Sequence, residues 1–164
     1  MSDKPQSSKG LAKNDYELLA EFRYTLRKFL GFSEAMAVQH GVMAQQYQAL
    51  LAIEGFSGRN WVTVGELAEQ LRTTHHSAVG LLDRMEVLRL VSREKSTEDR
   101  RRVNVSLTTK GRGLLEKLYR VHRTELKAVG PRLIGLLQKA SEDVPGGGTA
   151  SYSSPACFLP EIED

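Results

Sequence analysis

Two short stretches of helical periodicity, WVTVGELAEQL (residues 61–71) and HHSAVGLLDRMEVLRL (75–90), are separated only by the three residues RTT. In the first, Leu67, Ala68 and Leu71 fall on one face; in the second, Ala78, Leu81, Leu82, Met85 and Leu88 do. Thr63, followed three residues later by Glu66, predicts an N-cap completed as a capping box. Helices this short, joined this tightly, form a helix-turn-helix unit. LVSREK and RVNVSLT come next, the second alternating strictly through Val103, Val105 and Leu107, with the turn-forming STEDRR between them. This predicts a hairpin, and a helix-turn-helix followed at once by a hairpin is a winged helix.

The flanks are helical. From Asn14, apolar residues recur at three- and four-residue steps (Leu18, Leu19, Phe22, Leu26, Phe29, Leu30, Met36), predicting a long amphipathic helix interrupted at His40-Gly41. A second helix places Met43, Tyr47, Leu50 and Leu51 on one face and stops at Gly55. After the hairpin, Thr108 or Thr109 is expected to cap a long helix, Gly130-Pro131 to stop it, and a last helix to run from Arg132 to about Ala140. The fold class expected is mainly α with a small β-hairpin wing. A polar leader (1–13) precedes a single domain (14–140), whose winged lobe spans about 43–109 between long helices at about 14–39 and 109–140. The remainder, 141–164, is rich in Gly, Ser and Pro and is expected to be a flexible acidic tail.

Charge is unevenly placed. Residues 1–140 hold all 23 Lys and Arg with 15 of the 20 Asp and Glu, a balance of +8, and the other five acids lie beyond. A basic body suggests a polyanionic partner. The single cysteine, Cys157, rules out an intramolecular disulfide and a CxxC pair. No apolar stretch approaches the ~18 residues of a membrane span, so a soluble, cytoplasmic protein is expected. No nucleophile, base and orienting group can be placed together, and neither a phosphate loop nor a complete metal set occurs. The expectation is a non-enzyme without cofactor or metal. His75 and His76, being adjacent, do not share a helical face and make a poor metal pair.

In a winged helix the second helix of the unit enters the major groove of double-stranded DNA, and the wing follows the backbone to the neighbouring minor groove. The residues expected to touch DNA are Thr73, Thr74, His75, His76, Ser77, Gly80 and Arg84 on the helix and Arg100, Arg101 and Arg102 on the wing. Guanidinium groups suit the narrow, strongly negative minor groove. Asp83 would be repelled by phosphate and is expected to pair with Arg84 or a wing arginine. A winged helix used only for protein contacts is the alternative, and three consecutive wing arginines argue against it.

The sequence DRRRVNVSLTTKG (99–111) resembles the wing of the MarR-type winged-helix regulators, with Asp99, Arg101, Val105, Leu107, Thr108 and Gly111 at matching positions. VTVGELAEQL, HHSAVGLLDRMEVLRLVSR and QQYQALLAIEG extend the likeness over about residues 14–140. The resemblance implies a homodimer whose first and last helices intertwine, with two lobes reading half-sites of a pseudo-palindrome, usually as a repressor. The apolar stripe Leu114, Leu115, Leu118, Val121, Leu126, Val129, Leu133, Leu136 fits a helix that wants a partner surface. Arg101 matches the wing arginine expected in the minor groove. Relatives of this kind bind small aromatic or anionic effectors between dimer helices and lobe. Tyr24, Arg27, Phe32, Tyr47 and His122 are the residues that would line such a crevice, although a hydrogen-bonded core histidine is the leading reading of His122.

Overall fold

The computed structural model describes residues 12–95 and 102–142. Five helices and three short strands follow in the order α1 (Lys13–Gln39), α2 (Ala44–Glu54), β1 (Trp61–Thr63), α3 (Val64–Gln70), α4 (His75–Val87), β2 (Val91–Lys95), β3 (Val103–Leu107) and α5 (Thr109–Glu142). This is the expected winged helix-turn-helix between two long helices. The leader before residue 12, the acidic tail after 142, and Asp99, Arg100 and Arg101 lie outside the described residues.

Three of the helices end in the same way. After α1, α3 and α4 the chain turns through a left-handed residue, Gly41 (φ 82°), Arg72 (φ 50°) and Arg89 (φ 56°) respectively. In each case the next amide reaches back to a carbonyl of the last turn: Val42 N–H to Ala37 O, Thr73 N–H to Ala68 O, and Leu90 N–H to Met85 O. The Arg72 turn brings α4 close behind α3. Thr63 caps α3, its hydroxyl accepting from Glu66 N–H while Glu66 accepts from Thr63 N–H at 2.8 Å. Arg59 forms an ion pair with Glu66 and stacks between Phe56 and Trp61, 4.5 and 3.9 Å from the ring centroids.

The hairpin is part of a three-stranded antiparallel sheet ordered β1-β3-β2. β1 has only three residues, too few to show alternation, and its pairing with β3 (Val62 opposite Val105) was not predicted. Val62 and Val105 are fully buried with Leu50, Ile53, Leu67, Leu82, Met85 and Leu118 in one core. Two sequence readings need correction here. In α2 the buried face is Gln46, Tyr47, Ala49, Leu50 and Ile53, whereas Met43 is the exposed N-cap residue and Leu51 is 41% exposed. In α4 Leu88 is the C-cap residue, partly exposed, because the helix has already ended.

Gly130-Pro131 does not stop α5, which runs unbroken from Thr109 to Glu142. An interior proline forfeits a backbone hydrogen bond and costs about 3 kcal/mol. Tertiary packing offsets this on both sides. Leu115 and Leu118 anchor the first half in the core, while Leu136 is buried beyond the proline and Arg132 forms an ion pair with Glu21 of α1 at 2.8 Å. The predicted stripe is therefore divided: Leu115, Leu118 and Leu136 are covered within the chain, and Leu126 is 47% exposed.

The start of α5 grips the end of α4. Lys110 Nζ donates to Leu88 O (2.8 Å), Thr108 Oγ1 to Arg89 O (2.6 Å), and Thr108 N–H to Leu90 O (3.0 Å). Thr108 also caps α5 by accepting from Gly111 N–H at 3.1 Å. A Cβ on Gly111 would lie 2.1 Å from Leu90 O, whereas one on Gly113 meets nothing within 4 Å. Gly111→Ala should therefore destabilise the fold by about 3 kcal/mol through a backbone overlap that cannot relax cheaply. Gly113→Ala, in the same helix, should be neutral or stabilising by up to ~1 kcal/mol. Denaturant titration of both variants measures the contrast, and equal effects would remove the close approach as the reason for glycine at 111.

Burial pushes the Glu66 carboxyl up, but hydrogen bonds from the Thr63 backbone, Arg59 and the Thr63 hydroxyl, with the Arg59 charge, hold it below the usual value on balance. Its ionised form thus contributes stability above the unfolded carboxyl's pKa of about 4.3, a contribution lost as pH falls through the lower folded value. Glu66→Gln should flatten that part of the acid-unfolding curve below about pH 4.3. A curve of unchanged shape would show that the ionised cap adds nothing.

Candidate nucleic-acid interface

The outward surface of α4 begins with its cap. Thr74 accepts from Ser77 N–H at 3.1 Å and gives its own proton to Ser77 Oγ at 2.9 Å. Ser77 Oγ is thereby an acceptor toward Thr74, and its hydrogen is left to point outward as a donor. Ala78, Leu81, Leu82 and Met85 are buried, so the opposite face is set by helical geometry. His75, His76, Ser77 and Arg84 are exposed, while Thr73 and Gly80 are half-buried. A Cβ on Gly80 would meet only Arg84 Nη1, at 3.7 Å, so the fold itself does not require glycine there.

Thr73, His76, Ser77, Gly80 and Arg84 line a cavity of about 350 Å³ whose other wall is Gln45 and Gln48 of α2. Those glutamines were missed by sequence reasoning; their only signal is a spacing of three, which puts both on one face of α2. On the opposite flank of α4 a second cavity, about 440 Å³, lies between the N-termini of α3 and α4 and the wing, with His75, Arg93 and Arg102 among its lining residues. Arg102, exposed, is the one predicted wing arginine within the described residues.

Among the described residues Asp83 pairs not with Arg84 but with Arg93 of β2, at 2.6 Å. The same guanidinium reaches Glu86 at 2.8 Å and Val79 O at 3.1 Å. Sequence reasoning passed over Arg93, because an arginine at the half-exposed position of an alternating strand reads as a solvated side chain.

The residues considered for an effector crevice are only partly brought together. His122 is buried, 4% exposed, where α5 meets α1 and α2. Leu118 O can only accept, so Nδ1–H donates to it at 2.7 Å, and Nε2 lies within hydrogen-bond reach of the Ser33 hydroxyl at 2.8 Å. Tyr47 stacks on the imidazole with centroids 4.6 Å apart, and Phe32 and Phe29 meet its edge at 5.7 and 6.3 Å. Burial pushes the Tyr47 phenol above its usual pKa. Tyr24 and Arg27 are exposed on α1, with Lys28 over the Tyr24 ring. No helix among the described residues is long and apolar enough to cross a membrane.

A family model described as "MarR family" matches residues 40–102, from the end of α1 to the wing. The organic hydroperoxide resistance transcriptional regulator of Bacillus subtilis (strain 168) is 32% identical over 108 residues, covering 66% of each chain. The HTH-type transcriptional repressor YetL of the same organism is 38% identical over 64 residues, 39% of this chain and 38% of the relative. The alignments thus span about two fifths to just under two thirds of these relatives. Among solved structures, a mutant of Staphylococcus aureus MepR bound to an oligodeoxyribonucleotide superimposes with a TM-score of 0.58 at 23% identity, covering 76% of this chain and 91% of that one. With the helix-turn-helix and the two long helices in place, the chain has the winged-helix fold of that structure, and its residues 40–102 match the MarR family.

Proposed function

We propose that the protein is a cytoplasmic, homodimeric transcriptional regulator, a repressor that binds a pseudo-palindromic DNA site and responds to a small aromatic or anionic effector. The observation that carries this reading is the surface of α4, where a capped N-terminus presents outward-facing His75, His76, Ser77 and Arg84 beside Arg102 of the wing. The relatives' names, one a repressor and one a regulator, and the DNA-bound MepR structure support it. The same neighbour argues against a wing used only for protein contacts.

A second copy of the chain is the partner that best fits the long helices. Tyr16, Leu19 and Leu30 of α1 and Leu126, Ile134 and Leu137 of α5 are all 47–61% exposed. So much bare apolar surface is costly in water unless it is covered. For the effector, the junction of α1, α2 and α5 around His122, Tyr47 and Phe32 is the proposed location, with Tyr24 and Arg27 on the exposed side of α1.

Selection of duplexes from a random pool tests the reading directly: a pseudo-palindrome should be enriched, and no enrichment would defeat it. On the selected duplex, Gly80→Ala should lower specific affinity about tenfold, of the order of one lost base contact, while leaving the salt slope unchanged. The fold should be unharmed, since alanine is favoured over glycine within a helix. Wild-type affinity in this variant would move base reading away from the middle of α4. His122→Ala should shift the concentration of a benzoate-type acid needed for release by more than it changes operator affinity without ligand. Parallel losses of folding stability and DNA binding, with no shift in the release curve, would make His122 a core residue only.

A further inference from the structure

We infer that Arg93 is the positioning residue that fixes the wing to the recognition helix, so that its effect on DNA passes through Val79, Asp83 and Glu86. The inference rests on the DNA-binding reading above. Val79, Asp83 and Glu86 follow at steps of four and three, which places them on one face of α4 over two turns. One guanidinium from the neighbouring strand spans all three: Nη1 lies 2.6 Å from Asp83 and 2.8 Å from Glu86, and Nη2 lies 3.1 Å from Val79 O. A planar fork with fixed donors can do this, whereas a lysine ammonium is a single point of attachment.

The side chain is built in rather than draped on the surface. It is 23% exposed, and its Nε is buried without a hydrogen-bond partner, so the chain accepts a desolvation cost to hold it there. Both Nη1 hydrogens are committed to carboxylates, and two negative charges face one positive one. The cluster therefore offers phosphate no net cation, which separates Arg93 from a DNA-contacting arginine.

Its place in the sheet explains what it controls. Arg93 stands opposite Val105, and Lys95 opposite Val103 closes the described ladder next to Arg102. The sheet core holds the base of the hairpin through β1 and the Ser92–Ser106 hydroxyl contact of 3.2 Å. Farther out, Arg93 ties β2 to α4, and it lines the same cavity as His75 and Arg102. The width of that cavity, and hence the distance from Arg102 to α4, depends on the tie.

A double-mutant cycle in the full-length protein tests this, using the selected duplex and the variants Arg93→Gln and Arg101→Ala/Arg102→Ala. With the wing held, losing its two arginines should weaken binding at least tenfold; in the Arg93→Gln background the same change should cost threefold or less, a coupling within the range of contacting residues. Should Arg93→Gln fail to give a native melt, Asp83→Asn/Glu86→Gln cuts the tie from the other side. Removing two acids beside DNA would by charge alone raise affinity; loss of positioning lowers it instead and shrinks the wing effect. A full wing effect in both backgrounds, or a rise in affinity for Asp83→Asn/Glu86→Gln, overturns the role of Arg93 alone. Absence of any wing effect in the otherwise wild-type protein overturns the wing reading of the proposed function, and this inference falls with it.

Discussion

Three consecutive carbonyls just after α4, those of Leu88, Arg89 and Leu90, are all taken by Thr108 and Lys110 at the start of α5. The negative end of the α4 dipole is thereby met by the Lys110 ammonium and by the hydroxyl and amide of Thr108. Gly111 lets the two backbones approach to a distance that no side chain would permit. A displacement at the start of α5 would pass to the end of α4 through this joint, and through the core that Leu115 and Leu118 share with Leu82 and Met85. Packed junctions of this kind move as units.

The sequence revealed those parts of the fold whose causes are local. Thr63 and Glu66 form a cap from four residues, and the Leu-Thr-Thr-Lys-Gly run carries both the cap of α5 and the glycine its approach to Leu90 demands. What it concealed depends on residues far apart in the chain. β1 exists because β3 comes back to pair with it, and three residues hold no period of their own. Pro131 stays inside a helix because Leu115 and Leu118 before it and Leu136 after it are buried, with Arg132 paired to Glu21 more than a hundred positions earlier. The left-handed turns at Arg72 and Arg89 carry no glycine to announce them. The candidate site divides along the same line: exposed groups on α4 follow from helical spacing, whereas Arg93 gains its meaning only when β2 is laid against Asp83 and Glu86.

The proposed reading surface and the scaffold share atoms. Thr74 holds the start of α4, and in doing so it dictates which hydrogen Ser77 has left to offer. α3, with seven residues, is too short to persist in water by itself. It is held by the Thr63–Glu66 box, by Arg59, and by the burial of Leu67 and Ala68. Stability and recognition in this lobe are thus set by overlapping groups, which restricts how freely either can change without the other.

Trp61 is the single tryptophan of the chain, and its indole lies against the Arg59 guanidinium at the entrance to α3. A stacked cation and the polarity around it govern indole emission, so the protein carries its own optical reporter at the foot of the helix-turn-helix. Because that reporter sits in β1, away from the exposed apolar faces of α1 and α5, its signal follows the lobe itself. Changes in how the lobe is arranged can therefore be watched in unlabelled protein.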